Sequence, residues 1–193
     1  DAARRIYAAK GRPSDNPLII HLARAEDAEE YAVTSELYYK LAQRFMPGPI
    51  TVILPKKDII PLSVTGGLPT VAVRVPLNIH AHKLISAVGV PVAAPSANIS
   101  GRPSATCARY CLEDFDGRID AVLDGGDAAF GLESTIVKPD GDGLRLLRPG
   151  AVTPEELSSL GVPVTVDPSV TERFEGTPAS PGMKYRHYAP RAE

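Results

Sequence analysis

The stretch "KGRPSDNPLIIHL", residues 10–22, carries Lys10 and Arg12 on a short loop ahead of an apolar run that contains one histidine, His21. Gly11 permits a sharp backbone turn and Pro13 stiffens the residues next to it, so both cations sit on a restricted segment. Restricted cations suit an anionic ligand, against a background in which most Lys and Arg are simply solvated. A lone histidine in an apolar strand is more often a hydrogen-bonded core residue than a ligand contact. Further on, "APSANISGRPS" runs from an apolar strand into Ser96 and Asn98 and through a Gly-Arg-Pro turn to Ser104. Hydroxyl and amide groups at a strand's end, beside a helix expected to open at Ser104, favour phosphate through backbone N–H groups and the helix dipole. "VAVRVP" contributes Arg74, "GLESTIVK" places Ser134 at a strand's start, and "LRLLRPG" places Arg148 at a strand's end. Lys10, Arg12, Arg74 and Arg148, gathered among these hydroxyls, point to a cleft for a polyphosphate.

Several other chemistries are disfavoured. The chain has neither a "GxxxxGK[ST]" loop nor a "GxGxxG" fingerprint, so the site is not a P-loop or Rossmann design. It also lacks a "GxSxG" elbow, an "HExxH" pair and a plausible Ser-His-Asp triad. Cys107 and Cys111 lie four apart in a helical pattern, where free thiols pack as small hydrophobes, and zinc would want more ligands. His80 and His82 diverge around a helix axis, so no metal site is expected. A net charge of -2 gives no global attraction to nucleic acid or membrane, and anion binding must come from local clustering. No stretch approaches the roughly 20 apolar residues that span a bilayer, and the first residues lack the apolar core of a secretory signal. A soluble cytoplasmic protein with no membrane partner is the expectation.

The elements that must hold these residues are read from periodicity. At 193 residues and 44% hydrophobic content the chain supports one sizeable core. The opening residues read as the end of a helix, and "PLIIHL" as a short buried strand. Residues 26–45 read as one amphipathic helix, with Tyr31, Thr34, Tyr38, Leu41 and Phe45 at steps of three and four. "PGPITVIL" and "TVAVRVP" are strands, the second with Val71, Val73 and Val75 on one face and Ala72 and Arg74 on the other. A helix capped by Asn78 ends at Gly89; strand "VPVAAP" comes next, then a helix from about Ser104. "IDAVLDGG", "STIVK" and "LRLLR" read as strands, the last two as a hairpin across "PDGDG". Thr153 and Glu156 form a capping box with Pro154 at the first helical position, and "VPVTV" closes the core. The sum is an α/β (α+β) domain, a twisted mixed sheet flanked by helices, over residues 1–166. From Asp167 the four prolines and absence of apolar periodicity indicate a linker or arm, residues 167–193.

Taken together, "KGRPSDNPLIIHL", "PGPITVIL", "VAVRVP", "PVAAPSANISGRPS", "GLESTIV" and "LLRPGAVTPEEL" resemble the YrdC family of threonylcarbamoyl-AMP synthases. The resemblance implies a YrdC-like fold and an enzyme that joins L-threonine, bicarbonate and ATP, with magnesium as the nucleotide's counter-ion. The products would be L-threonylcarbamoyladenylate and pyrophosphate, the adenylate passing to tRNA threonylcarbamoyl-transfer machinery. By motif, Lys10, Arg12, Ser96 and Asn98 would be catalytic. Arg12, Asn16, Thr70, Ser96, Ser104 and Arg148 would hold ATP, and His21, Arg74, Ala94 and Ser134 would hold threonine. "SPGMKYRHYAP" resembles the linker of the longer two-domain members, so Tyr185, Arg186 and Tyr188 would fold back as a lid, with Tyr185 or Tyr188 on ATP.

Family members open with a strand and a "PTETVYGLG"-like stretch that has no counterpart ahead of Asp1. The chain therefore reads as a fragment of the catalytic domain plus a linker toward a further domain. Two alternatives stand beside this reading: the YrdC-like domain of a hydrogenase-maturation carbamoyltransferase, which the "SPGMKYRHYAP" tail disfavours, and a non-catalytic module. The latter would bind RNA, weakly at this net charge.

Overall fold

The computed structural model describes residues 1–170. Helix α1 (Ala2–Lys10) ends at Gly11, whose φ of 59° is the left-handed conformation that closes a helix without a Cβ penalty. Arg12 N–H then bonds back to Tyr7 O at 2.9 Å, which fixes the direction in which the loop leaves. The chain continues through β1 (Ile19–His21), α2 (Ala28–Tyr31), α3 (Glu36–Phe45), β2 (Ile50–Pro55), α4 (Leu62–Thr65), β3 (Thr70–Arg74), α5 (Ile79–Val88) and β4 (Val92–Ala94). It completes with α6 (Ala108–Phe115), β5 (Thr135–Asp140), β6 (Gly143–Arg148), α7 (Pro154–Ser158), β7 (Val164–Val166) and a 3-10 turn, Pro168–Val170.

The strands form one seven-stranded mixed sheet in the order β4-β1-β3-β2-β5-β6-β7. β1 runs parallel to β3, β2 to β5 and β6 to β7, while the remaining neighbours are antiparallel. One face carries Ile20, Leu22, Ile50, Val52, Leu54, Val71, Val73, Val137, Leu144 and Leu146 against Tyr31, Tyr38, Leu41 and Leu157 of the helices, the main core. The opposite face carries a smaller apolar set, Ile19, Ile53, Ala72, Ile136 and Leu147. Arg74 alternates with the buried valines onto this second face, as the pattern of "VAVRVP" predicts.

Three expectations are corrected. Residues 26–45 form two helices: Val33 N–H bonds Pro55 O, Ala32 bridges to Lys56, and Ser35 accepts from Tyr38 N–H to cap a new helix. The β-branched pair Val33 and Thr34 lies in the break, leaving Thr34 outside any helix. The helix expected at Ser104 begins at Ala108, so Ser104 lies on the preceding loop and has no helix dipole behind it. "IDAVLDGG" is no strand; residues 119–126 pair with no other strand among those described and run as a largely exposed loop. Asn78, Gly89 and the Thr153–Glu156 capping box stand where expected. No helix among the described residues is long and apolar enough to cross a membrane.

Candidate active site

Strand register builds the site. Val92 pairs with His21, His21 with Arg74, Thr51 with Ile136 and Ile136 with Arg148, while Val52↔Val73 sets Arg74 one step along beside Thr51. These residues form one transverse row on the second face of the sheet. At about 4.8 Å per strand, the four steps from His21 to Arg148 span roughly 19 Å. One row further in, Ala94, Ile19, Ala72 and Ile53 form an apolar floor, and Thr70 lies beyond it at the start of β3.

Arg148 reaches this face through an irregularity. Ile136 pairs with Arg148 but Val137 pairs with Leu146, so Leu147 is an extra residue in β6. Without it, strict alternation from Leu146 would turn Arg148 toward the main core; with it, the side chain is re-aimed across the sheet. Its Nε and Nη2 donate to Ser134 O at 3.0 and 2.8 Å, and Nη2 also donates to Ser134 Oγ at 3.1 Å. Ser134 Oγ lies 2.7 Å from Thr51 Oγ1.

Arg74 occupies the centre of the row. Its Nε donates to Gly48 O at 3.2 Å, and among the described residues no carboxylate pairs with it. Burial lowers its pKa, the signature of a guanidinium removed from water without a counter-charge. His21 Nδ1 lies 3.2 Å from Val92 O; burial, then the Arg74 charge, lowers its pKa to about 4, so the imidazole is neutral. A cavity of about 620 Å³ opens beside Arg74, bounded also by Pro49, His80, Ala97, Cys111 and Phe130. Cys107 and Cys111 both border it, half-buried, rather than packing in the core.

The loop after β4 forms the facing wall, and α1 anchors it. Lys10 is buried, and its Nζ donates to Ser96 O at 2.5 Å and to Asn98 O. Burial, with Arg12 nearby, lowers the Lys10 pKa to about 8. Asn98 Nδ2 donates to Ile99 O and Arg102 O at 3.0 and 2.7 Å, which leaves Oδ1 as a buried acceptor with no partner among the described residues. Asp114 accepts from Ile99 N–H at 2.8 Å and pairs with Arg102, tying the loop to α6. Ser104 Oγ donates to Glu133 Oε1 at 2.8 Å, which brings the far end of the loop to the approach of β5. Among the described residues no group of three or more His, Cys, Asp or Glu could hold a metal ion.

The predicted residues therefore gather, though not all as open ligand contacts. His21, Thr70, Arg74, Ala94, Ser134 and Arg148 share one face of the sheet, and Ser96, Asn98 and Ser104 share the loop opposite. Lys10 secures that loop by its carbonyls. Arg12 donates to Asn16 O, Asn16 Oδ1 and Pro17 O at 3.2, 2.6 and 3.0 Å, so Arg12 and Asn16 brace one another. Tyr185, Arg186 and Tyr188 lie outside the described residues. Sequence reasoning missed Thr51, Glu133 and the extra residue at Leu147. Thr51 was readable as the lone hydroxyl in the alternation of "ITVIL"; a bulge leaves no such trace.

The family model Sua5–YciO–YrdC, described as telomere recombination, matches residues 1–150, and one described as threonylcarbamoyl-AMP synthase, C-terminal domain, matches residues 152–193. The chain is 48% identical to a threonylcarbamoyl-AMP synthase of Pyrococcus abyssi over all its own length and 57% of the relative's. It is 47% identical to one of Bacillus subtilis, again over its whole length and 56% of the relative's. The crystal structure of P. abyssi Sua5 complexed with L-threonine superimposes with a TM-score of 0.94 at 49% identity, covering 100% of this chain and 57% of that one. The chain thus spans a little over half the length of these relatives.

Proposed function

The chain belongs to the Sua5–YciO–YrdC family, and on that premise we propose that it is the catalytic part of a threonylcarbamoyl-AMP synthase acting on L-threonine, bicarbonate and ATP. The observation that carries this reading is Arg74, a half-buried guanidinium with no carboxylate beside it among the described residues, at the edge of a cavity. A cation partly withdrawn from water without a counter-charge is costly, and an incoming carboxylate would supply the missing partner with two parallel N–H···O bonds. The P. abyssi relative, alike in sequence and shape, was solved in complex with L-threonine.

In this mechanism Arg74 takes the threonine carboxylate, and neutral His21 and Ser134 complete the amino-acid pocket. Ala94 offers its backbone. Bicarbonate takes up a proton and loses water to give carbon dioxide, which the neutral amine captures as a carbamate with release of a proton. A carbamate oxygen then attacks the α-phosphorus of ATP, and the bond to the β-phosphate oxygen breaks as pyrophosphate leaves. No protein nucleophile takes part. Positioning and electrostatic stabilisation do the catalytic work. Arg148, with Lys10 and Arg12 on the loop side, supplies positive charge to the phosphates, Thr70, Ser96 and Ser104 their hydroxyls, and Asn16 an amide. Asn98 Oδ1, a buried acceptor without a partner among the described residues, takes a ribose hydroxyl or base amine. In the same proposal Tyr185 or Tyr188 contacts the nucleotide. Magnesium enters with the ATP substrate, as the counter-ion of its phosphates. The adenylate passes to a transferase that acylates tRNA, and the protein works in the cytoplasm.

An omission series tests the reading. The protein incubated with ATP releases pyrophosphate when threonine and bicarbonate are both present, and withdrawing either abolishes release. Release indifferent to threonine would remove the synthase assignment.

A further inference from the structure

Thr51 stands at the middle of the polar row, 0% exposed, and among the described residues its hydroxyl has one hydrogen-bond partner, Ser134 Oγ at 2.7 Å. Ser134 is itself 2% exposed. A serine hydroxyl offers two lone pairs and one proton. A guanidinium only donates, so Arg148 Nη2, at 3.1 Å, occupies one of the lone pairs.

The contact between the two hydroxyls has two possible orientations. If Ser134 donated to Thr51, the Thr51 proton would be buried with no acceptor among the described residues, at the full desolvation cost of an unmade hydrogen bond. If Thr51 donates, its proton is satisfied and the second lone pair of Ser134 is filled. The second arrangement leaves one group unused: the Ser134 proton.

We infer that Thr51 is a positioning residue that, together with Arg148, fixes Ser134 as a hydrogen-bond donor toward the ligand, so that the ligand atom met there is an anionic oxygen. An ammonium presented to Ser134 finds no free lone pair; a carboxylate or carbamate oxygen finds a proton already aimed. The inference rests on the proposed function, in which Ser134 meets the amino acid, and it assigns the chemistry of that contact. It also gives a reason for a fully buried threonine on the site face of β2, where Ile53 is its apolar neighbour two residues on.

Two measurements test it. Neutron diffraction from the unliganded wild-type protein in deuterated buffer locates the hydroxyl deuterons: the Thr51 deuteron directed at Ser134 Oγ supports the assignment, and a Ser134 deuteron directed at Thr51 overturns it. That result does not depend on whether the protein makes an adenylate. Calorimetric titration then compares wild type, Thr51→Val and Thr51→Ser. Thr51→Val weakens L-threonine binding about tenfold while ATP affinity stays within about twofold, and Thr51→Ser restores the wild-type value. In a Ser134→Ala background Thr51→Val has no further effect. Equal losses for threonine and ATP, or an undiminished loss without Ser134, would contradict the inference. A loss already present without bicarbonate assigns the contact to the carboxylate, and one that needs bicarbonate assigns it to the carbamate.

Discussion

Arg74 and His21 sit side by side on paired strands, and their states are linked. The guanidinium keeps its charge because its pKa starts far above neutrality, and that charge, with burial, keeps the imidazole neutral near a pKa of about 4. This pair therefore offers one fixed cation, with a polar but uncharged neighbour, to a zwitterionic amino acid. Arg74→Gln is expected to weaken threonine binding about 100-fold, the scale of a lost charge-assisted pair, while the melting temperature holds or rises because an uncompensated charge has left a partly desolvated position. Calorimetric titration beside thermal unfolding checks both halves. His21 gives a pH signature. An unfolded histidine titrates near 6.5 and the folded one near 4, so between these values the unfolded chain binds more protons. The His21 contribution is complete above pH 6.5 and is lost as pH falls toward 4, by up to about 3 kcal/mol. Denaturant unfolding across that window is expected to show a shallower slope for His21→Asn than for wild type.

The hairpin of β5 and β6 delivers two site residues from adjacent strands, and a glycine after it keeps them in place. A Cβ on Gly150 would lie 2.5 Å from Thr135 N, 2.6 Å from Glu133 O and 2.9 Å from Ser134 C. The returning backbone thus packs directly on the segment that presents Ser134. Gly150→Ala is expected to cost about 2–4 kcal/mol and to weaken threonine binding as well, because the 133–135 backbone must move to admit the methyl group. Thermal unfolding with threonine titration decides it; a stable variant with normal affinity would show that the segment yields freely. At this scale much was legible. The alternation of "VAVRVP" placed Arg74 opposite the valines, and "STIVK" to "LRLLR" read as a hairpin, because period-2 burial and turn residues are local signals. The break at Val33–Ser35 was not, since it depends on Val33 bonding to Pro55 of a strand distant in sequence. Nor was the loop at residues 119–126, whose alternating residues resemble a strand but pair with none of the described ones. Whether such a segment becomes a strand is decided by a neighbour, which its own residues do not encode.

Across the whole molecule, the two cheeks of the site come from distant parts of the chain. Residues 21, 51, 74, 134 and 148 are brought together by strand register and by the extra residue in β6, while Lys10 and the Ser104–Glu133 bond bring the loop of residues 95–107 against them. The residue types were legible as a set, because guanidinium, ammonium and hydroxyl groups at strand ends suit an anionic ligand. Their division of labour was not: Lys10 holds carbonyls and Arg12 holds Asn16, roles that only close approach in three dimensions reveals. The central claim is that both cheeks enclose one site for an amino acid and a nucleotide together. A crystal structure of the protein with L-threonine and a non-hydrolysable ATP analogue tests it most directly. We expect the threonine carboxylate on the Arg74 guanidinium, its neighbouring oxygen within reach of Ser134 Oγ, and the analogue's α-phosphate in the same cleft toward Arg148. Threonine and nucleotide in separate cavities, or a nucleotide on the helical side of the sheet, would contradict the account.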